Sequence, residues 1–314
     1  MSNTNEYSEG VPPLRSEGRG RLDLIIEEVK TSEGKIEFQV TPDPRRYERV
    51  EADGEVCYID RFTRVMFPIR LFQDAISTLP FYDLRPRIAS TVDYAQERAS
   101  AVEDELAGES LRSPSVEPAR HREMQSRTTI TSTPFLSLDI CRSTELRRRE
   151  PASFDRAAEI LLREMQILVG QFEATILKAT GDGFIAYLPH PAFTRQCDLI
   201  VDLGTSMIRM ARDSICPMLH SSGLPRLDIR IGADYGEARF EQKTNAATGF
   251  TWPHVDSDAL NLAVKIEQTA RANSLRIGSS LYGLLHVQWL ERATPIPTED
   301  LPPSFNGYSV YEIG

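Results

Sequence analysis

Asp139 ends the apolar run FLSL, and Asp182 follows ILKATG inside TGDG, between two glycines. A pair of carboxylates brought close together offers only hard oxygen donors, a set that suits Mg²⁺ or Mn²⁺ rather than zinc. Each aspartate also has a purely local reading. An Asp between glycines is favoured in a tight turn, and Asp139, with Ser143 and Thr144 after it, could cap the next helix. Which reading holds depends on whether the elements that carry the two residues meet.

Those elements alternate from about Thr129 onward. TPFLSLDI reads as a strand, and SFDRAAEILLREMQILVGQF carries apolar residues at helical spacing. TILKA and FIAYL are strands on either side of TGDG, a hairpin turn in which Gly tolerates positive φ. RQCDLIVDLGTSMIRMARDS is a helix, LDIRIGADYGEARF holds strand, DALNLAVKIEQTARAN is a helix, and SLRIGSSLYGLL opens with a strand. The order βαββαβ predicts an α+β, ferredoxin-like domain with an antiparallel-dominated sheet and helices packed on one face. In that topology the first strand and the hairpin are neighbours, so Asp139 and Asp182 reach one edge of the sheet.

The rest of the chain divides by composition. Residues 1–20 are polar and rich in Gly and Ser, which reads as a disordered tail. Residues 21–108 form a small β-rich module, with strands at RLDLIIEEV, KIEFQV and EVCYIDRF, that ends in a helix near 88–108. Residues 109–128 are polar, hold two prolines and no periodicity, and read as a linker to the domain at 129–314. The net charge of −10 argues against a protein that coats nucleic acid, and Arg147 to Arg149 read as a solvated helix face. No run of 18 apolar residues and no signal-peptide layout occur, so a cytoplasmic protein with no membrane partner is expected. The four cysteines lack CxxC spacing and read as free thiols.

Four segments, FLSLDICRST, LKATGDGF, LDIRIGADYGE and NLAVKIEQTA, follow one another in that order. Together they resemble the catalytic domain of class III nucleotide cyclases, with its patterns DI-x-G-[FS]-T, K-x-x-GD-x-[FY], R-x-G-[IV]-x-x-G and N-x-A-x-R-[ILM]-E. The resemblance covers about 130–313 and none of the first 125 residues. It implies a lyase that drives a ribose 3′-oxygen onto the α-phosphorus of a nucleoside triphosphate and expels pyrophosphate. Residue by residue, it implies that Asp139 and Asp182 hold two divalent ions, Mg²⁺ or Mn²⁺, with the carbonyl of Ile140 as an added ligand. Asn261 matches the residue that orients the ribose, and Lys265 stands where an arginine stabilises charge on the α-phosphate. Arg230 matches a basic residue directed at the phosphates. A head-to-tail homodimer with shared sites is implied as well.

Departures from the pattern refine the expectation. Arg142 replaces a small Gly in the loop after the first aspartate, where it either crowds the triphosphate or contacts it. The C-terminal FNGYSVYEIG lacks the lysine that many relatives direct at the terminal phosphates, a place that Arg142, Lys243 or the N-terminal module could fill. For the base, Lys178 fits the first adenine-reading position, but His254 falls at the second, where an acceptor is usual. Lys only donates and His can donate, so uracil, with two carbonyl oxygens, suits this pair better than adenine or cytosine. Phe250 and Trp252 either cover the loop as core or tighten the pocket around a pyrimidine. The chain is similar here to the uridylate and cytidylate cyclases of anti-phage Pycsar systems. The expectation is thus cyclic UMP made from UTP as a second messenger for a downstream effector. An adenylate cyclase is the alternative within the enzyme class, and a catalytically inactive nucleotide-binding regulatory module the alternative outside it.

Overall fold

The computed structural model describes residues 20–32, 35–52, 54–76, 86–119, 128–189 and 192–314. The chain divides into two units, Met1–Thr78 and Leu79–Gly314. The tail expected at 1–20 falls outside the described residues except for Gly20.

The smaller unit holds two antiparallel sheets. β1 (Leu24–Ser32) pairs with β2 (Lys35–Pro42), while β3 (Tyr47–Ala52), β4 (Glu55–Asp60) and β5 (Met66–Pro68) form the other, followed by helix α1 (Ile69–Ile76). The sequence marks β1, β2 and β4. β3 escapes it because half of YERVEA is charged and only Tyr47 is buried. The core of this unit combines edge-to-face contacts of Phe72 with Tyr47, Tyr58 and Phe67 with a buried guanidinium. Arg46, 1% exposed, donates to Asp23 at 3.0 Å and to Asp60 at 2.8 Å, so its charge is matched on both sides.

The larger unit begins with α2 (Thr91–Leu106), capped by Ser90, whose hydroxyl accepts from the Asp93 amide. This is the helix expected to close the N-terminal module, and it belongs instead to the larger unit. The expected linker is likewise tied down over its described part. Gln171 donates to the Val116 carbonyl at 2.5 Å, and the Ala119 amide donates to the Gly170 carbonyl at 3.0 Å. Polar composition suggests a linker, whereas backbone groups of this stretch are satisfied by side chains and carbonyls of the domain.

Next come β6 (Thr129–Ile140), α3 (Ser143–Arg149), α4 (Pro151–Gln171), β7 (Thr175–Ala179), β8 (Gly183–Tyr187), α5 (Phe193–Met210), which runs through a π-helical turn at Ala211–Ile215 into α6 (Cys216–Ser221), β9 (Ile229–Thr244), β10 (Thr251–Asp256) and α7 (Asp258–Thr269). The chain ends with β11 (Ser274–Gly278), the short helices α8 (Ser279–Tyr282) and α9 (Val287–Leu290), β12 (Ala293–Pro295) and β13 (Val310–Ile313). The sheet order β12-β13-β11-β9-β6-β8-β7 contains the 4-1-3-2 arrangement of the ferredoxin-like unit in β9-β6-β8-β7. Every pairing is antiparallel except β9 with β11.

Two details depart from the sequence reading. The helices do not share one face. Alternate residues of a strand point to opposite sides, and on β6 Leu136 lies near Gly204 of α5 while Phe135 packs with Ala259, Leu260 and Ala263 of α7. α7 therefore covers the face opposite α5. The stretch RFEQKTNAATGFTWPHVDSD, polar enough to suggest a long loop, is the β9–β10 ribbon. Its turn is closed by Asn245, whose side-chain oxygen accepts from the Ala247 amide, and by Gly249 at φ +71°. Among the described residues no helix is long and apolar enough to cross a membrane.

Candidate active site

The register of the central strands decides where the two aspartates go. Asp139, near the end of β6, lies opposite Gly183 of β8 and Arg230 of β9. A side chain at 183 would place its Cβ 2.0 Å from the Leu138 carbonyl oxygen, so only Gly lets these strands approach. The turn before it is tight. Thr180 donates its amide to the Gly183 carbonyl at 3.0 Å across Gly181 at φ +96°, and the Ile140 amide donates to the Asp182 carbonyl at 3.1 Å. Asp182 is thereby tied to the end of β6, and the Ser143 hydroxyl donates to its carboxylate.

Burial raises the carboxyl pKa of Asp139 above its ordinary value; Arg230 opposes the shift, and the charge of Asp182 adds to it. Arg230 donates to Asp139 Oδ2 from Nη2 at 2.7 Å and from Nε at 3.2 Å. Its Nε also lies 2.6 Å from Oε1 of Glu267 on α7. Burial pushes Glu267 up to about 7, with Arg230 opposing and Asp139 adding.

α7 supplies the opposite wall. Ser257 caps it by accepting from the Leu260 amide and fastens it to β9 by donating to the Glu237 carbonyl at 2.7 Å. Ala259, Leu260, Ala263 and Ile266 bury one side of the helix, which leaves Asn261, Lys265 and Gln268 on an exposed stripe at i, i+4 and i+7. The cleft between this stripe and the strand ends has a volume of about 560 Å³ and is lined by Ser137, Asp139, Lys178, Thr180, Ile185, Arg230, Leu260, Asn261, Val264, Lys265, Glu267 and Gln268. Glu267 is the participant that the sequence reading passed over, although it is the last letter of the fourth motif.

The donor set fits hard divalent cations. Two carboxylates meet at adjacent strand ends, and the raised pKa of Asp139 reflects a burial and a neighbouring charge that a cation would relieve. Among the described residues no group of three or more His, Cys, Asp or Glu side chains gathers at metal-binding distance. Ions held here would draw their remaining ligands from carbonyl groups, water and phosphate oxygens, as Mg²⁺ commonly does.

Five residues considered in the sequence stand elsewhere. Arg142 opens α3 in the left-handed conformation, φ +56°, which explains the small Gly usual at that place. Its guanidinium, 67% exposed, lies 3.6 Å from Asp228 and lines a separate concavity with Thr144, Glu145, Arg148 and Arg149. His254 pairs with Glu241 on the β9–β10 ribbon, while the next pair, Val255 and Phe240, packs into the α7 cluster. Strand alternation therefore turns His254 to the other face, and the structure does not bring it to Lys178. Phe250 and Trp252 stack on one another at 5.7 Å, with Phe250 65% exposed, so they neither cover a core nor line the cleft. Lys243 pairs with Glu241 at 3.3 Å.

No family model matches the chain, and no curated protein matches it. Solved structures do. The adenylyl cyclase CyaB from P. aeruginosa superposes with a TM-score of 0.50 at 18% identity, over 60% of this chain and 96% of that one. The catalytic core of a rhodopsin-guanylyl cyclase with converted specificity, in complex with ATPαS, gives 0.50 at 16% identity, over 60% and 98%. The guanylyl cyclase Cya2 is also similar, with a TM-score of 0.49 at 17% identity over 59% and 92%. The chain carries the fold of class III nucleotide cyclase domains.

Proposed function

We propose that the chain is a metal-dependent nucleotide cyclase that turns a nucleoside triphosphate into the 3′,5′-cyclic monophosphate and pyrophosphate. The observation that carries this reading is the gathering of Asp139, Arg230, Asn261 and Lys265 around one cleft in a cyclase-type fold. Divalent ions bound there would polarise the ribose 3′-hydroxyl and neutralise the triphosphate. Asp139 and Asp182, with the Ile140 carbonyl, would hold them. Asn261 positions the ribose, Lys265 balances the charge that develops on the α-phosphate, and Arg230 meets phosphate oxygens. A homodimer with shared active sites is the assembly that goes with this reading.

The favoured substrate is UTP. Beside Lys178 the cleft is walled by Ile185, Leu260 and Val264, so the charged group available to a base edge there is a donor, which suits a carbonyl. His254 lends no support to this choice, because it faces away. A messenger role in anti-phage defence, with the product read by a separate effector, goes with this choice of base.

Incubation with each of the four nucleoside triphosphates and Mn²⁺, followed by separation of the products, tests the reading. Cyclic UMP is expected. Cyclic AMP alone would overturn the choice of base, and no cyclic product from any of them would overturn the cyclase. Asp139→Asn and Asp182→Asn should each abolish turnover while the fold persists.

A further inference from the structure

We propose that Glu267 is a positioning residue that holds the Arg230 guanidinium for the triphosphate, an inference that rests on the cyclase reading and deepens it. Arg230 lies between two carboxylates, with Nη2 2.7 Å from Asp139 Oδ2 and Nε 2.6 Å from Glu267 Oε1. Cations held by Asp139 would weaken its hold on Arg230. Glu267 remains. A carboxylate on Nε keeps the fork oriented and leaves the terminal nitrogens for phosphate oxygens, which Arg binds in a forked geometry.

Two features indicate that the contact is built into the fold. Glu267 is 5% exposed, and its Oε1 has no hydrogen-bond partner, so the ionic contact with Arg230 is what matches that oxygen; the Ser137 hydroxyl reaches the other at 3.4 Å. The approach of α7 is set by Gly232. A Cβ at 232 would lie 2.2 Å from the Glu267 amide nitrogen and 2.3 Å from the Ala263 carbonyl oxygen. Residues i and i+2 of a strand share a face. Gly232 thus lets the helix backbone settle on β9, and Arg230, two positions earlier on the same face, meets the side chain delivered there. The R-x-G of β9 and the final Glu of the α7 motif form one device.

The test is a double-mutant cycle read by steady-state kinetics with Mn²⁺ and by inhibition with pyrophosphate. Glu267→Gln keeps the shape and removes the charge. It should raise both KM and the pyrophosphate inhibition constant about tenfold to a hundredfold, the scale of losing one close charge pair, with a smaller change in kcat. In an Arg230→Met background the same substitution should have no further effect on the inhibition constant. Equal effects in both backgrounds, or an unchanged inhibition constant in the single variant, would overturn the inference while leaving the cyclase intact. A wild-type protein that neither turns over nor binds pyrophosphate would overturn the cyclase reading and the inference with it. If Glu267→Gln unfolds, Glu267→Asp, which withdraws the charge by one methylene, carries the same expectation.

Discussion

Arg98 of α2 and Glu164 of α4 are both fully buried and meet in a forked ion pair, Nε to Oε2 at 2.7 Å and Nη2 to Oε1 at 3.1 Å. Around it Glu105 of α2 takes Arg156 and Arg163 of α4, each at 2.6 Å. Removing one partner of a buried pair leaves an uncompensated charge, at about 3 to 5 kcal/mol. A chain that starts at Thr129 loses Arg98 and the helix that carries it, leaves Glu164 with Arg163 at 3.1 Å, and should lose cooperative unfolding or solubility. A chain that starts at Pro86 keeps α2 and should melt cooperatively. Thermal unfolding of the two truncations compares them directly.

Lys265 carries the charge expected to meet the α-phosphate. Lys265→Ala should lower kcat about 10²- to 10³-fold, the usual effect of deleting a transition-state donor. Lys265→Arg should restore most of it. Initial rates at saturating substrate and Mn²⁺ measure both.

Asp234 provides a pH signature remote from the cleft. Burial pushes its carboxyl up to about 7, although Tyr308, Tyr235 and Leu281 all donate to it. A carboxyl whose pKa is raised on folding stabilises the fold fully below its unfolded value near 3.8, and that contribution is lost as pH rises to about 7. Stability should therefore fall across this window by a few kcal/mol at most, since one proton bound only in the folded state changes it by roughly 1.4 kcal/mol for each step of one in pH. Asp234→Asn can keep the contacts, accepting from both amides and donating to Tyr308, and should flatten the fall. Melting curves between pH 4 and pH 8 decide it.

Arg142 holds a left-handed backbone that costs a side-chain-bearing residue roughly 1 to 2 kcal/mol. Arg142→Gly should raise the denaturant midpoint. Its KM should stay within about twofold, because the guanidinium lines a concavity apart from the cleft. A large rise in KM would mean that Arg142 reaches the triphosphate after all.

Lys178→Glu replaces a donor with an acceptor at the base edge. Turnover of UTP should drop, and a base that offers donors should gain relative to it. His254→Ala should leave the choice of base unchanged. Competition among the four triphosphates reads both.

The order of strands and helices from Thr129 onward was legible because periodicity and turn glycines are local properties. TGDG had to be a turn, and SFDRAAEILLREMQILVGQF had to be a helix. The adjacency of Asp139 and Asp182 followed from that order, since β6 and the β7–β8 hairpin neighbour one another in a ferredoxin-like sheet. Tertiary structure alone decided the rest. Whether α7 covered the same face as α5, and which way His254 turned, depended on strand phase against a helix distant in sequence. Polar composition could not show that α2 belongs with the larger unit, because its attachment is an ion pair between residues 66 positions apart. Nor could a motif letter show why Glu267 is there. The reason is a contact with Arg230 that exists only because Gly232 lets a helix lie against a strand.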